Sequence, residues 1–129
     1  MRKKAWISAT MLVLYCGFIF FLSSIPGDSV PSSLPSDKIA HFLLYSGLGF
    51  VFTYFLSSLE VGLAQVTLGI AVFFFSVIYG LTDEIHQTFT PGRTFESLDM
   101  LANVFGGISG WLLYLFFSAA GQGDESEVS

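Results

Sequence analysis

The chain has 129 residues, of which 53% are hydrophobic and 12% charged, with a formal net charge of -5. Soluble domains carry about 25% charged residues, so too little charge is present here to cover a surface facing water. Three of the five bases, Arg2, Lys3 and Lys4, sit together at one end, so no basic face exists for a nucleic acid.

The length suits a single domain, expected over residues 1–123 as a transmembrane unit. Asp124, Glu125 and Glu127 mark 124–129 as an acidic, disordered tail. The first apolar run, Ala5 to Ile25, is free of charge. It is read as a retained span and not a signal peptide, because Ser23-Ser24-Ile25 does not form a small-x-small cleavage site. Cys16 is the lone cysteine and cannot form an internal disulfide, so it is expected to pack. Pro26-Gly27, Pro31 and Pro35 then stop the helix and keep the connection extended. Ser36 or Asp37 is the expected cap of the second helix.

The second run, Ile39 to Leu59, contains only His41 as an ionisable residue. Glu60, Val61 and Gly62 leave room for no more than a tight antiparallel hairpin before the third run, Val61 to Thr82. Asp83, Glu84, His86 and Gln87 close that run. Thr90-Pro91-Gly92 turns the chain, Thr94 or Ser97 is placed to cap, and the fourth run extends from Met100 to Gly123. Each run has the roughly 20 residues that cross about 30 Å of hydrocarbon as a helix, where the backbone must satisfy its own hydrogen bonds. The expected fold is an all-α membrane protein, a four-transmembrane-helix bundle.

Arg2-Lys3-Lys4 places the N-terminus in the cytoplasm by the positive-inside rule. An even number of spans brings the C-terminus back to the same side. The connections from Gly27 to Lys38 and from His86 to Leu98 are then external. This topology gathers the ionisable residues of three helices on the outer membrane face. Asp37 and His41 share a helix face at a spacing of four, with Tyr45 the next step. Gly80, Glu84 and Gln87 form a second stripe, with Asp83 beside it. Asp99, Asn103, Gly106 and Gly110 form a third, its glycines spaced for close helix approach. Trp111 and Phe116-Phe117 are expected to face lipid.

The ordered set Asp37-Lys38-x-x-His41, Thr82-Asp83-Glu84-x-x-Gln87, Pro91-Gly92-Arg93 and Asp99-x-x-x-Asn103-x-x-Gly106 resembles the VanZ family. Ser24-Ile25-Pro26 also fits its pattern. The resemblance runs from about Ser24 to Gly110 and implies a multi-pass protein of the bacterial cytoplasmic membrane. The family's namesake lowers susceptibility to the glycopeptide antibiotic teicoplanin. A role at the cell envelope follows from the likeness; a defined reaction does not.

Asp37, Lys38, His41, Asp83, Glu84, Gln87, Arg93, Asp99 and Asn103 are the candidate ligand-binding residues, and His41, Asp83, Glu84 and Asp99 the candidates for any catalysis. Each has a structural alternative. Asp37 and Asp99 suit helix N-termini. His41 would need a buried partner, and Asp37 is its nearest candidate. Of Asp83 and Glu84, one could face the bundle and one the water, or both could hold the outer loop through Arg93 or Lys38. Arg93 could anchor its loop or clamp a ligand. No HxxxH or HExxH pair is present, so neither metal nor cofactor is assigned. The outer face nevertheless carries six acids (Asp28, Asp37, Asp83, Glu84, Glu96, Asp99) against Lys38 and Arg93, an excess that attracts cations or keeps some carboxylates protonated.

The leading expectation is an external polar cleft that binds or modifies an envelope lipid, a lipid-linked precursor, a glycopolymer or an amphiphilic antibiotic, with membrane lipids as surroundings. The alternatives are a membrane enzyme using His and carboxylate chemistry on a lipid-linked substrate, and a scaffold that assembles through its glycine stripe.

Overall fold

Runs of apolar residues too long for a buried soluble helix become four membrane-length helices in the computed structural model, which describes residues 3–33 and 36–126. They are α1 (Lys3–Ser23), α2 (Asp37–Ser58), α3 (Gln65–Gln87) and α4 (Ser97–Ser126), with a short 3-10 turn at Gly27–Ser29. Among the described residues there is no strand. Arg2, Pro35 and Glu127 lie outside the described residues.

The helices extend beyond the apolar runs at their polar ends. α3 continues through Asp83, Glu84 and Gln87, because the two carboxylates find partners inside the bundle and Gln87 is buried with them. α4 likewise begins at Ser97, takes in Asp99, and runs on through Ser126 into the acidic segment. Ser36 occupies the position before α2, yet its side chain makes no capping bond. The connection from α2 to α3 covers residues 59–64 and turns through left-handed backbone at Glu60 (φ 55°) and Gly62 (φ 66°). It is short, but α2 and α3 are not each other's main partners.

The largest helix interface lies between α2 and α4. α3 packs next on α4, while α1 lies against α2 and reaches α3. The α2–α4 approach is close because glycines meet backbone. A Cβ on Gly110 would stand 2.6 Å from the Phe50 nitrogen, and one on Gly106 would stand 3.1 Å from the Ser46 nitrogen. Gly49 on α2 faces the backbone of Gly107 on α4. The glycine stripe expected to let helices approach closely is used inside this chain, which leaves it covered and not available to the alternative scaffold reading.

Side-chain size is distributed accordingly. Phe18, Phe21, Phe74, Phe116 and Phe117 point outward, as lipid permits. The interior holds Tyr45, Leu48, Val72 and small hydroxyls. Ser8 and Ser58 bond each other at 2.6 Å near the α1 N-terminus, and Thr53 donates to the Gly49 carbonyl at 2.7 Å. Local bonds of this kind let hydroxyls enter an apolar interior without orphaned donors. Trp111 departs from its expected place. Its ring fills the space that Gly69 leaves on α3, where a Cβ would come within 2.9 Å of it, so it packs between helices.

Leucine at Gly110 must push α2 from α4. Gly110→Leu is expected to cost about 2 kcal/mol or more, read as a lower unfolding midpoint in detergent, whereas Gly121→Leu, with open space around it, should change that midpoint little.

Candidate functional site

The ends of α2, α3 and α4 carry the acids, and α1 brings a hydroxyl to meet them. His41 sits one turn into α2 and is buried. Its nearest partner is on another helix: Nδ1 lies 2.8 Å from Asn103 Oδ1 of α4. Glu84 Oε1 of α3 lies 3.8 Å from the same nitrogen. On the opposite edge of the ring, Nε2 is 3.8 Å from Asp99 Oδ2 and 4.0 Å from Asp37 Oδ2. Asp37, the neighbour in sequence, is thus the most distant of the four.

Asp83 and Glu84 are both buried, so neither turns to water as the 100° offset between adjacent residues allowed. Asp83 accepts a short hydrogen bond from the Ser23 hydroxyl of α1 and a 3.4 Å bond from Tyr45 of α2. Glu84 Oε2 accepts the Glu96 backbone N–H at 3.2 Å, while Oε1 is fully enclosed and accepts nothing. Gln87 is buried one turn further on. Neither base reaches the α3 acids.

Lys38 instead binds Glu96, and its ammonium is 3.1 Å from Asp99 Oδ1. Asp99 lies in the first turn of α4, yet its carboxylate is committed to α2. Arg93 does the same for the loops. Its Nε donates to the Ile25 carbonyl at 3.3 Å and its Nη1 to Asp37 Oδ1 at 3.3 Å. Beside it, the Gly27 N–H donates to the Pro91 carbonyl at 2.9 Å and the Thr90 hydroxyl to the Ser23 carbonyl at 3.2 Å. No side chain fits at Gly27, since a Cβ there would strike the backbone of Gly92 (φ 73°). The loop-anchoring role of Arg93 is therefore visible in its bonds. His86 stacks on Phe20 at 4.2 Å and contacts Ser24 at 3.0 Å, away from the cluster.

Under these clasped loops lies a cavity of about 510 Å³. His41, Asp37, Asp83, Gln87 and Arg93 are among its polar lining residues, and Leu22, Ile25, Ala40 and Leu44 among its apolar ones. All nine expected binding residues lie in one connected region; Glu84, Asp99 and Asn103 stand behind the cavity wall and hold His41. Ser23 and Tyr45 complete the region. Ser23 was hidden in the charge-free run from Ala5 to Ile25, and its only signal was a hydroxyl at the end nearest the same membrane face.

A bundle of four apolar helices with its ionisable side chains gathered at one end defines a multi-pass membrane protein with a polar terminal cleft. A family model described as VanZ/LLP1 matches residues 7–118, and the chain belongs to that family. It is also similar to an uncharacterized protein of Schizosaccharomyces pombe, 28% identical over 116 residues, which cover 90% of this chain and 65% of the relative. The chain thus spans 65% of the length of that curated relative. No solved structure gives a significant match.

Ser23→Ala removes a hydroxyl donor from the buried Asp83 carboxylate and should cost about 1–3 kcal/mol in chemical or thermal unfolding. Ser23→Thr, which keeps the hydroxyl, should recover most of it.

Proposed function

We propose that this protein uses the cavity as an external binding site for an amphiphile with a sugar-bearing or amine-bearing head, in the cytoplasmic membrane of a bacterium. The observation that carries this reading is the mixed polar and apolar lining of the 510 Å³ cavity. Small-molecule sites are commonly about 300–1,000 Å³ and combine apolar walls with a few placed polar groups. Arg93 is already engaged by Asp37 and a carbonyl, so it offers little to an anion. Carboxylate and carboxamide acceptors dominate what remains, and hydroxyls and amines donate to such groups. Leu22, Ile25 and Leu44 would receive the start of an acyl chain.

An acylated glycopeptide of the teicoplanin type and an envelope glycolipid both have this chemistry. Sequestering the antibiotic, or altering the lipid it encounters, would link the cleft to resistance. The family membership supports that link.

The reading is tested with the full chain in nanodiscs. Fluorescent teicoplanin or an envelope glycolipid should bind, and a glycopeptide without an acyl chain should bind much more weakly. Ala40→Trp fills the apolar wall and should reduce affinity at least tenfold, about 1.4 kcal/mol; Val66→Trp, on the outer surface of α3, should not. Binding of neither probe, or equal binding by Ala40→Trp, would overturn the proposal.

The side of the membrane is tested separately. In a Cys16→Ala background, a cysteine at exposed Ser32 should react with an impermeant maleimide on intact cells, and one at Glu60 only after permeabilisation. The reverse pattern removes the external site.

A further inference from the structure

The bases at the mouth are spent before the two deepest acids are reached. Lys38 holds Glu96 and Asp99, and Arg93 holds Asp37. Asp83 receives two neutral hydroxyls. Glu84 receives one backbone N–H, and its Oε1 is fully buried with no donor. Adjacent carboxylates in a membrane bundle, paired with no lysine or arginine among the described residues, are expensive to keep ionised.

The spacing of the surrounding atoms is informative. One atom from each of His41, Asp83 and Glu84 lies within 4.8 Å of the others. His41 Nδ1 stands 3.8 Å from Glu84 Oε1, too far for a hydrogen bond. The same nitrogen stands 2.8 Å from Asn103 Oδ1. Protein nitrogens and oxygens bind first-row divalent ions at about 2.0–2.2 Å, which sets two ligands of one ion roughly 3–4 Å apart. The His41–Glu84 spacing lies in that range, and the 2.8 Å His41–Asn103 contact is a hydrogen bond that an ion entering between the two atoms would replace.

We propose that His41, Asp83 and Glu84, together with the Asn103 carbonyl oxygen, hold a divalent cation. Its ligands come from α2, α3 and α4, one imidazole nitrogen and three oxygens. That set suits Mn²⁺ or a similar first-row ion better than Cu²⁺ or a thiolate-seeking metal. Nδ1 is then the unprotonated ligand, and Nε2–H is left on the side of Asp99 and Asp37, whose carboxylates stand 3.8 and 4.0 Å away, near enough for electrostatic support but not for a direct hydrogen bond. Ser23 and Tyr45 orient the Asp83 carboxylate through their hydrogen bonds. His41 and Asp83 also line the cavity, so the ion would be reached from it. This site does not depend on which molecule the cavity takes.

The test uses the purified full chain in detergent, freed of metal with chelator and titrated with Mn²⁺ under electron paramagnetic resonance. Saturable binding of one ion per chain is expected, with a ¹⁴N coupling from one imidazole. Glu84→Gln, which keeps the shape and removes a buried charge, should weaken binding at least tenfold. His41→Gln should remove the nitrogen coupling, and His86→Gln should leave it. The proposal is overturned if millimolar Mn²⁺ does not bind to the wild-type chain, if the bound ion shows no nitrogen coupling, or if Glu84→Gln binds as the wild type does. The nitrogen signal is read on the wild-type protein, so its absence overturns the proposal even where a variant folds poorly, and Glu84→Gln separates this site from the neighbouring Asp37, His41 and Asp99 grouping.

Discussion

Where α2 and α4 meet backbone to backbone, no side chain can adjust their register. Gly49, Gly106, Gly107 and Gly110 make that contact, and everything at the polar end inherits its geometry. Toward that end the same two helices bring His41 to Asn103 and Lys38 to Asp99. Inside a membrane there is little hydrophobic drive between helices, and close packing with interhelical hydrogen bonds must replace it. The glycines supply the first and the polar cluster the second. The bundle is therefore held at both levels by one interface, with α3 and α1 added to its sides.

Depth explains how the charges are shared. Lysine and arginine keep their heads near water while their stems cover apolar surface. Lys38 and Arg93 accordingly serve the acids at the rim, Glu96, Asp37 and the first-turn Asp99. Asp83 and Glu84 lie beneath that layer and receive hydroxyl, amide and imidazole groups. An ordering of this kind makes the clasped loops more than a cover. Arg93 ties the loop after α3 to the end of α1 and the start of α2, and so sets the roof of the cavity over the deeper groups.

The spans and the polar stripes were legible because each depends on local rules. Twenty apolar residues cannot be arranged otherwise in lipid, and spacings of three and four define a helix face wherever the helix lies. Pairings were not legible. Asp37 is four residues from His41, yet Asn103, sixty-two residues away, is closer to the ring. Arg93 and Lys38 had several acids within plausible reach, and only the crossing of α2 and α4 decides among them. Ser23 was missed for a related reason. A serine in an apolar helix usually satisfies itself on its own backbone, as Ser24 does with Phe20, and nothing local distinguishes the serine that also turns to a carboxylate.

The far half of the bundle is built differently from the polar end. Below His41 the interior closes on Tyr45, Leu48 and Val72, all without accessible surface. Further along come hydroxyls bonded to one another or to carbonyls, at Thr53, Ser8 and Ser58. Among the described residues no buried Asp, Glu, His, Lys or Arg lies in that half. A path for ions or polar solutes would need charged or hydrated groups at successive depths. Here polarity stops one or two turns inside the membrane. Such a gradient suits a site that receives something at the surface and holds it there, with the closed core beneath acting as a floor.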